Sequence, residues 1–193
     1  MLFLLALAPF LSLLLRAISD SLGPNPAEAL MRGTGDWTLR MVVLTLLITP
    51  LRQWTGWQAL ASWRRMLGLF AFFYGLTHFL CFAWLDMGFE WAAIVGDIAK
   101  RPFILAGSTA LLLMLPLAAT SFNRAVRALG GARWRRLHKL VYGVAAMGLL
   151  HFFWMRSAKH DYAEVLIYAA VLAVLMGARV VHWRRSTALR RAR

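Results

Sequence analysis

The chain has 193 residues, 61% of them apolar and 16% charged, with a mean hydropathy of +0.62 and a net charge of +14. Soluble domains average roughly 45 to 50% apolar and about 25% charged residues, so this composition excludes an ordinary soluble domain and calls for lipid around much of the surface. Nucleic acid is not the expected partner, because Lys and Arg come in short clusters between long apolar runs and not on a solvated basic face. A single cysteine, Cys81, excludes an intrachain disulfide, CxxCH haem attachment and iron–sulfur clusters, which leaves histidine as the main ligand for any cofactor.

A bilayer core about 30 Å thick takes roughly 20 residues per helix, and walking between the charges predicts six such segments. They run from Leu2 to Ile18, Leu39 to Leu51, Met66 to Leu85, Phe103 to Thr120, Leu137 to Trp154 and Tyr162 to Val181. The first has no basic leader and no small-residue cleavage site before Asp20, and is read as a retained span. The second is short, and its Thr49-Pro50 ending leaves room for a kinked continuation into the Trp54 to Trp63 stretch. The expected architecture is all-α: one six-transmembrane-helix bundle over residues 1–193, with no internal repeat and no nucleotide-binding loop of its own.

Alternating the loops puts 15 of the 22 cations and no acid on one side, against seven cations and all eight acids on the other. This positive-inside asymmetry predicts a multi-pass inner-membrane protein with both termini cytoplasmic. Trp37, Trp63, Trp91, Trp134, Trp154 and Trp183 fall near predicted span ends, where aromatic anchors sit. No acid is expected inside a span, so neither hydrolytic machinery nor a proton-coupled carrier is legible.

The chemistry lies with the histidines. His78 follows Arg65 by 13 residues on the third span and His151 follows Arg136 by 15 on the fifth. At 1.5 Å per residue both lie roughly 20 Å from the cytoplasmic edge. Two imidazoles at one depth on helices running the same way can hold a b-type haem between the third and fifth helices. Each follows a glycine by three residues, in Gly75-Leu-Thr-His78 and Gly148-Leu-Leu-His151, which clears one helical turn for a flat ring or for close helix packing. His138, 13 residues before His151, is either a ligand of a second, inner haem or an interfacial residue or phosphate or propionate contact, and His182 is either the missing inner ligand or a snorkelling interfacial residue. His160 reads as a solvated loop residue and Cys81 as a small hydrophobe.

The strings Arg64-Arg-Met-Leu-Gly68, Tyr74-Gly-Leu-Thr-His78, Arg101-Pro-Phe-Ile-Leu-Ala-Gly107, Pro116-Leu-Ala-Ala-Thr-Ser121 and Trp134-Arg-Arg-Leu-His-Lys-Leu-Val-Tyr142, followed by His151, Trp154 and Lys159, occur in order over about residues 40–160. Together they resemble the MsrQ (YedZ) family, haem-binding membrane subunits of periplasmic methionine sulfoxide reductase systems. The resemblance implies a ferric-reductase-like membrane domain, distantly similar to the haem core of NADPH oxidases, that binds haem b (one or two) and FMN. It further implies electron transfer across the inner membrane to a periplasmic molybdopterin reductase, MsrP, with a cytoplasmic flavin reductase or the quinone pool as donor. The family's haem histidines carry over onto His78, His138 and His151. The inner depth of the third span holds Arg64 where NADPH oxidases carry a histidine, which leaves room there for the flavin. Arg64, Arg65, Arg133, Arg135 and Arg136 read either as contacts for its phosphate or as topology charges. A stand-alone haem b ferric or quinone reductase, and a non-redox transporter or assembly factor, are the competing classes.

Overall fold

A computed structural model describes residues 1–157 and 160–191. Lys159 and Arg193, both used in the charge count, lie outside the described residues. The chain forms nine α-helices there, and no strand occurs among the described residues. They are α1 (Leu2–Ile18), α2 (Pro26–Thr55), α3 (Leu60–Cys81), α4 (Trp91–Lys100), α5 (Pro102–Ala119), α6 (Asn123–Leu129), α7 (Gly131–Leu137), α8 (Leu140–Ser157) and α9 (Ala163–Arg191). A π-type turn over Phe82–Asp86 prolongs α3.

Among the described residues three helical segments are long and apolar enough to cross a membrane: Leu60–Asp86, Pro102–Ala119 and Ala163–Ala188. α1 is apolar over 17 residues. α2 departs from the expected 13-residue segment and runs for 30 residues. Glu28, Arg32, Asp36 and Arg40 recur every four residues and form a single polar stripe on this helix, with Arg32 paired to Glu28 one turn away. Asp36 lies within α2, three residues before the expected second span, and not in a loop. At its other end α2 continues past Pro50 to Thr55 and stops at Gly56, in the left-handed conformation at φ 71°, so Trp54 still belongs to α2, Trp63 belongs to α3, and the chain breaks over residues 56–59.

α2 is the central element. Met41, Val42, Leu46 and Ile48 are buried against Leu67, Phe70, Ala71 and Tyr74 of α3, with Leu172 and Leu175 of α9 in the same cluster. Trp37, expected as an end anchor, lies within α2, stacked on Tyr74 with ring centroids 6.2 Å apart and with the Arg40 guanidinium 4.8 Å from its ring centroid.

Side chains from neighbouring helices enter the backbone ladder near two prolines inside helices. Pro50 has no N–H for the Leu46 carbonyl one turn back, and the Arg179 guanidinium of α9 donates to that carbonyl instead. In α1, next to Pro9, the Tyr74 hydroxyl inserts into the helix ladder, donating to the Ala6 carbonyl at 2.8 Å and accepting from the Phe10 N–H at 3.0 Å. The packing brings α2 onto α3 and α5 onto α8, with the candidate site between the two pairs.

Candidate functional site: a histidine pair between two helix pairs

His78 of α3 and His151 of α8 face each other with ring centroids 6.0 Å apart and ring planes at 75°. Half that separation, about 3 Å, spans a ring radius plus a metal–imidazole bond of about 2 Å. Neither ring is free to turn. His78 Nδ1 lies 2.8 Å from the Met31 carbonyl of α2, and His151 Nδ1 lies 2.6 Å from the Phe103 carbonyl of α5. A carbonyl only accepts, so each Nδ1 carries the proton and each Nε2 keeps its lone pair, the arrangement in which imidazole binds a metal.

Each ring also rests against a glycine one turn beyond its acceptor. A β-carbon on Gly35 would come within 3.1 Å of the His78 ring, and one on Gly107 within 2.8 Å of the His151 ring. The expected pair, Gly75 and Gly148, lines the cavity but touches neither imidazole, since their β-carbons would meet Thr38, Met114 and Leu39 instead. Sequence reading thus found the cavity glycines and missed the two that seat the rings.

The cavity between the pairs has a volume of about 350 Å³, and its wall carries an internal repeat that the sequence reading did not recognise. Gly35, Leu39 and Val42 of α2 match Gly107, Leu111 and Met114 of α5 at an offset of 72. Gly75, His78 and Phe79 of α3 match Gly148, His151 and Phe152 of α8 at an offset of 73. The two short strings Gly-Leu-Thr-His-Phe and Gly-Leu-Leu-His-Phe were the available signal. The cavity therefore lies among α2, α3, α5 and α8, and not between the third and fifth long helices alone. No third His, Cys, Asp or Glu joins the pair among the described residues.

His138 is elsewhere. It lines a second cavity of about 260 Å³ with Arg52, Arg64, Arg65, Thr45 and Ser121. Its ring stacks on Trp134 at 4.0 Å, and its Nε2 lies 3.1 Å from Thr120 Oγ1. That hydroxyl already donates to the Pro116 carbonyl at 2.6 Å, so His138 Nε2 is the donor and, unlike the other two, has no free Nε2 lone pair. His138 precedes α8, and burial, followed by the Arg64 guanidinium, lowers its pKa from the ordinary histidine value. No other histidine lines this cavity. His182 is exposed on α9 and lines neither cavity, His160 is an exposed turn residue, and Cys81 is half-buried outside both. Val42, Met114 and Val144 line both cavities and form the wall between them.

An all-helical membrane domain with paired histidines facing across its core defines a class, and the family model for ferric reductase like transmembrane components matches residues 34–149. Within that class, proteins from three organisms that share the name protein-methionine-sulfoxide reductase heme-binding subunit MsrQ are similar over most of the chain. The one from Polaromonas naphthalenivorans is 57% identical over 96% of this chain and 85% of its own length. That from Ralstonia nicotianae is 55% identical over 92% and 82%, and that from Bordetella pertussis 46% identical over 96% and 89%. The chain belongs to the MsrQ family of ferric-reductase-like membrane proteins. No solved structure matches it.

Proposed function

We propose that the chain is the membrane electron-transfer subunit of a methionine sulfoxide reductase system, holding haem b between His78 and His151 and FMN in the arginine-lined cavity. The observation that carries this reading is the histidine pair: two facing rings, each with Nδ1 tied to a backbone carbonyl and Nε2 left for a metal. The relatives' name, heme-binding subunit, supports it.

When bound, haem b would supply one-electron transfer, with its potential tuned by its protein ligands and by burial. His78 and His151 would hold its iron through their Nε2 nitrogens. The Met31 and Phe103 carbonyls hold the Nδ1 protons and so keep both ligands neutral and fixed. Leu39, Phe79 and Phe152 give the cavity apolar walls that exclude water. In the second cavity Arg52, Arg64 and Arg65 offer positive charge to a flavin phosphate. His138 faces the same cavity as a contact of the flavin; to ligate a second haem through Nε2 it would have to give up its hydrogen bond to Thr120.

In this reading α1, α2, α3, α5, α8 and α9 all cross the bacterial inner membrane with both termini cytoplasmic. The histidine cavity then faces the periplasm and the arginine cavity the cytoplasm, where a flavin reductase or the quinone pool donates. Sulfoxide chemistry belongs to a periplasmic molybdopterin partner of the MsrP kind. One centre on each side of the Val42, Met114 and Val144 wall divides a core of about 30 Å into two short hops.

The test is a reduced-minus-oxidised visible spectrum of the detergent-purified protein, with pyridine haemochrome quantitation and acid release of flavin. A b-type α-band with about one or two haems per chain, with released FMN, is expected. Sulfoxide reduction should require co-expression of the molybdoenzyme. A colourless protein overturns the reading, and reduction of ferric ion or quinone without any partner makes it a stand-alone reductase.

A further inference from the structure

The histidine cavity has two unlike ends. At one, Val42, Met114 and Val144 close it with an apolar wall in which every residue is at most 6% exposed. At the other, the start of α2, the turn after α3 and the start of α5 form an open rim that includes Arg32 and Arg101. Their side chains are 41% and 53% exposed. Each arginine sits close in the chain to the carbonyl that fixes one histidine: Arg32 directly follows Met31, and Arg101 stands two residues before Phe103. Each is tethered by a carboxylate one helical turn earlier, Arg32 by Glu28 and Arg101 by Asp97 at 3.3 Å. Asp97 is only 18% exposed, and its Oδ2 is buried without a hydrogen bond, so it holds Arg101 by charge and leaves the guanidinium donors unspent.

Haem b carries two carboxylates on one edge of a flat apolar ring. Placed against the apolar wall they would be buried charges without partners, at large cost. At the rim they meet two guanidinium forks, whose geometry matches a carboxylate with two parallel N–H bonds. The other charged residues lining this cavity, Glu28, Asp36 and Asp86, are acids, so Arg32, which Glu28 already holds, and Arg101 are the two cations there that a carboxylate could meet. We infer that Arg32 and Arg101 form a two-point clamp for the propionates, which turns the carboxylate edge of the haem toward the open rim. The inference rests on the haem reading above. It assigns these arginines and their tethers as cofactor-binding and positioning residues.

The test sets protein against ligand. The purified full chain is loaded with haem b or with its dimethyl ester, which has no carboxylate charge, and haem loss to an excess of apoglobin is followed in the Soret band. Wild type should lose the ester about a hundredfold faster than haem b. Arg32→Gln and Arg101→Gln should each speed the loss of haem b about tenfold, and the double variant should lose both ligands at one rate. Arg101→Lys should recover part of the difference, and Asp97→Asn should fall between wild type and Arg101→Gln. If wild type releases haem b and its ester equally fast while the bis-histidine spectrum is intact, the clamp is wrong and the haem reading stands. If neither ligand gives a bis-histidine spectrum, the haem reading falls and the clamp with it. The ester comparison uses unaltered protein, so a variant that fails to fold does not weaken the test.

Discussion

A β-carbon on Gly107 would lie 2.8 Å from His151 Nδ1, the same atom that sits 2.6 Å from the Phe103 carbonyl. The ring is wedged between an acceptor and a bare backbone on one turn of α5, and no real β-carbon fits that gap. Gly107→Ala should therefore push the imidazole off its acceptor and away from His78. Overpacking costs about 1–3 kcal/mol, enough to weaken haem retention about tenfold or more and to mix high-spin character into the spectrum. Gly35→Ala, at 3.1 Å from the His78 ring, should do the same more mildly. Electron paramagnetic resonance of the oxidised protein reads both; two variants with wild-type signals would mean that these glycines do not seat the ligands.

Single histidine substitutions separate the two cavities. His78→Ala or His151→Ala should abolish the low-spin haem, because each ring supplies one of only two facing nitrogens. His138→Ala should leave that signal intact and alter only what occupies the arginine cavity. His160→Ala, at an exposed turn, should change little. Haem content per chain in the four variants is the measurement, and equal content in all of them would remove the histidine pair from the site.

Some of this arrangement is open to a reader of the sequence and some is not, for reasons of scale. His78 can be placed by counting from Arg65 along one continuous helix, since helix rise is a local property, whereas the same count from Arg136 to His151 crosses the turn between α7 and α8. Gly35 and Gly107 act on rings 43 and 44 residues away, so their role exists only once α2 packs on α3 and α5 on α8. The length of α2 is hidden because Glu28, Arg32, Asp36 and Arg40 interrupt the apolar run, although their four-residue spacing is itself a helical stripe. The helices α4, α6 and α7 lie in what the hydropathy walk treats as loops, being only 10, 7 and 7 residues long.

Tyr74 ties α1 to α3. It is fully buried, and its hydroxyl both donates to the Ala6 carbonyl and accepts from the Phe10 N–H beside Pro9. Tyr74→Phe keeps the ring stacked on Trp37 and removes only these two bonds. Hydrogen bonds between membrane helices are worth about 0.6 kcal/mol on average and rarely above about 1.7, so a loss of about 1–2 kcal/mol is expected. Thermal unfolding in detergent, with proteolysis of the N-terminal helix as a second probe, should show the change without loss of haem at room temperature.

Arg179 and Pro50 are coupled through one carbonyl. Pro50 cannot bond to Leu46, and the Arg179 guanidinium fills that vacancy while also donating to the Leu175 carbonyl at 2.8 Å, with Tyr142 beneath it at 6.0 Å. Arg179→Met should keep most of the packing of the side-chain stem and leave the Leu46 carbonyl unsatisfied in an apolar setting. That costs about 1–3 kcal/mol. Pro50→Ala restores an N–H one turn from Leu46, so the same arginine substitution made in that background should cost much less. The double-mutant cycle in thermal stability isolates this term, since the two sites meet at a single backbone atom. Strict additivity of the two substitutions would show that Arg179 stabilises the bundle by its other contacts and not by completing the α2 ladder.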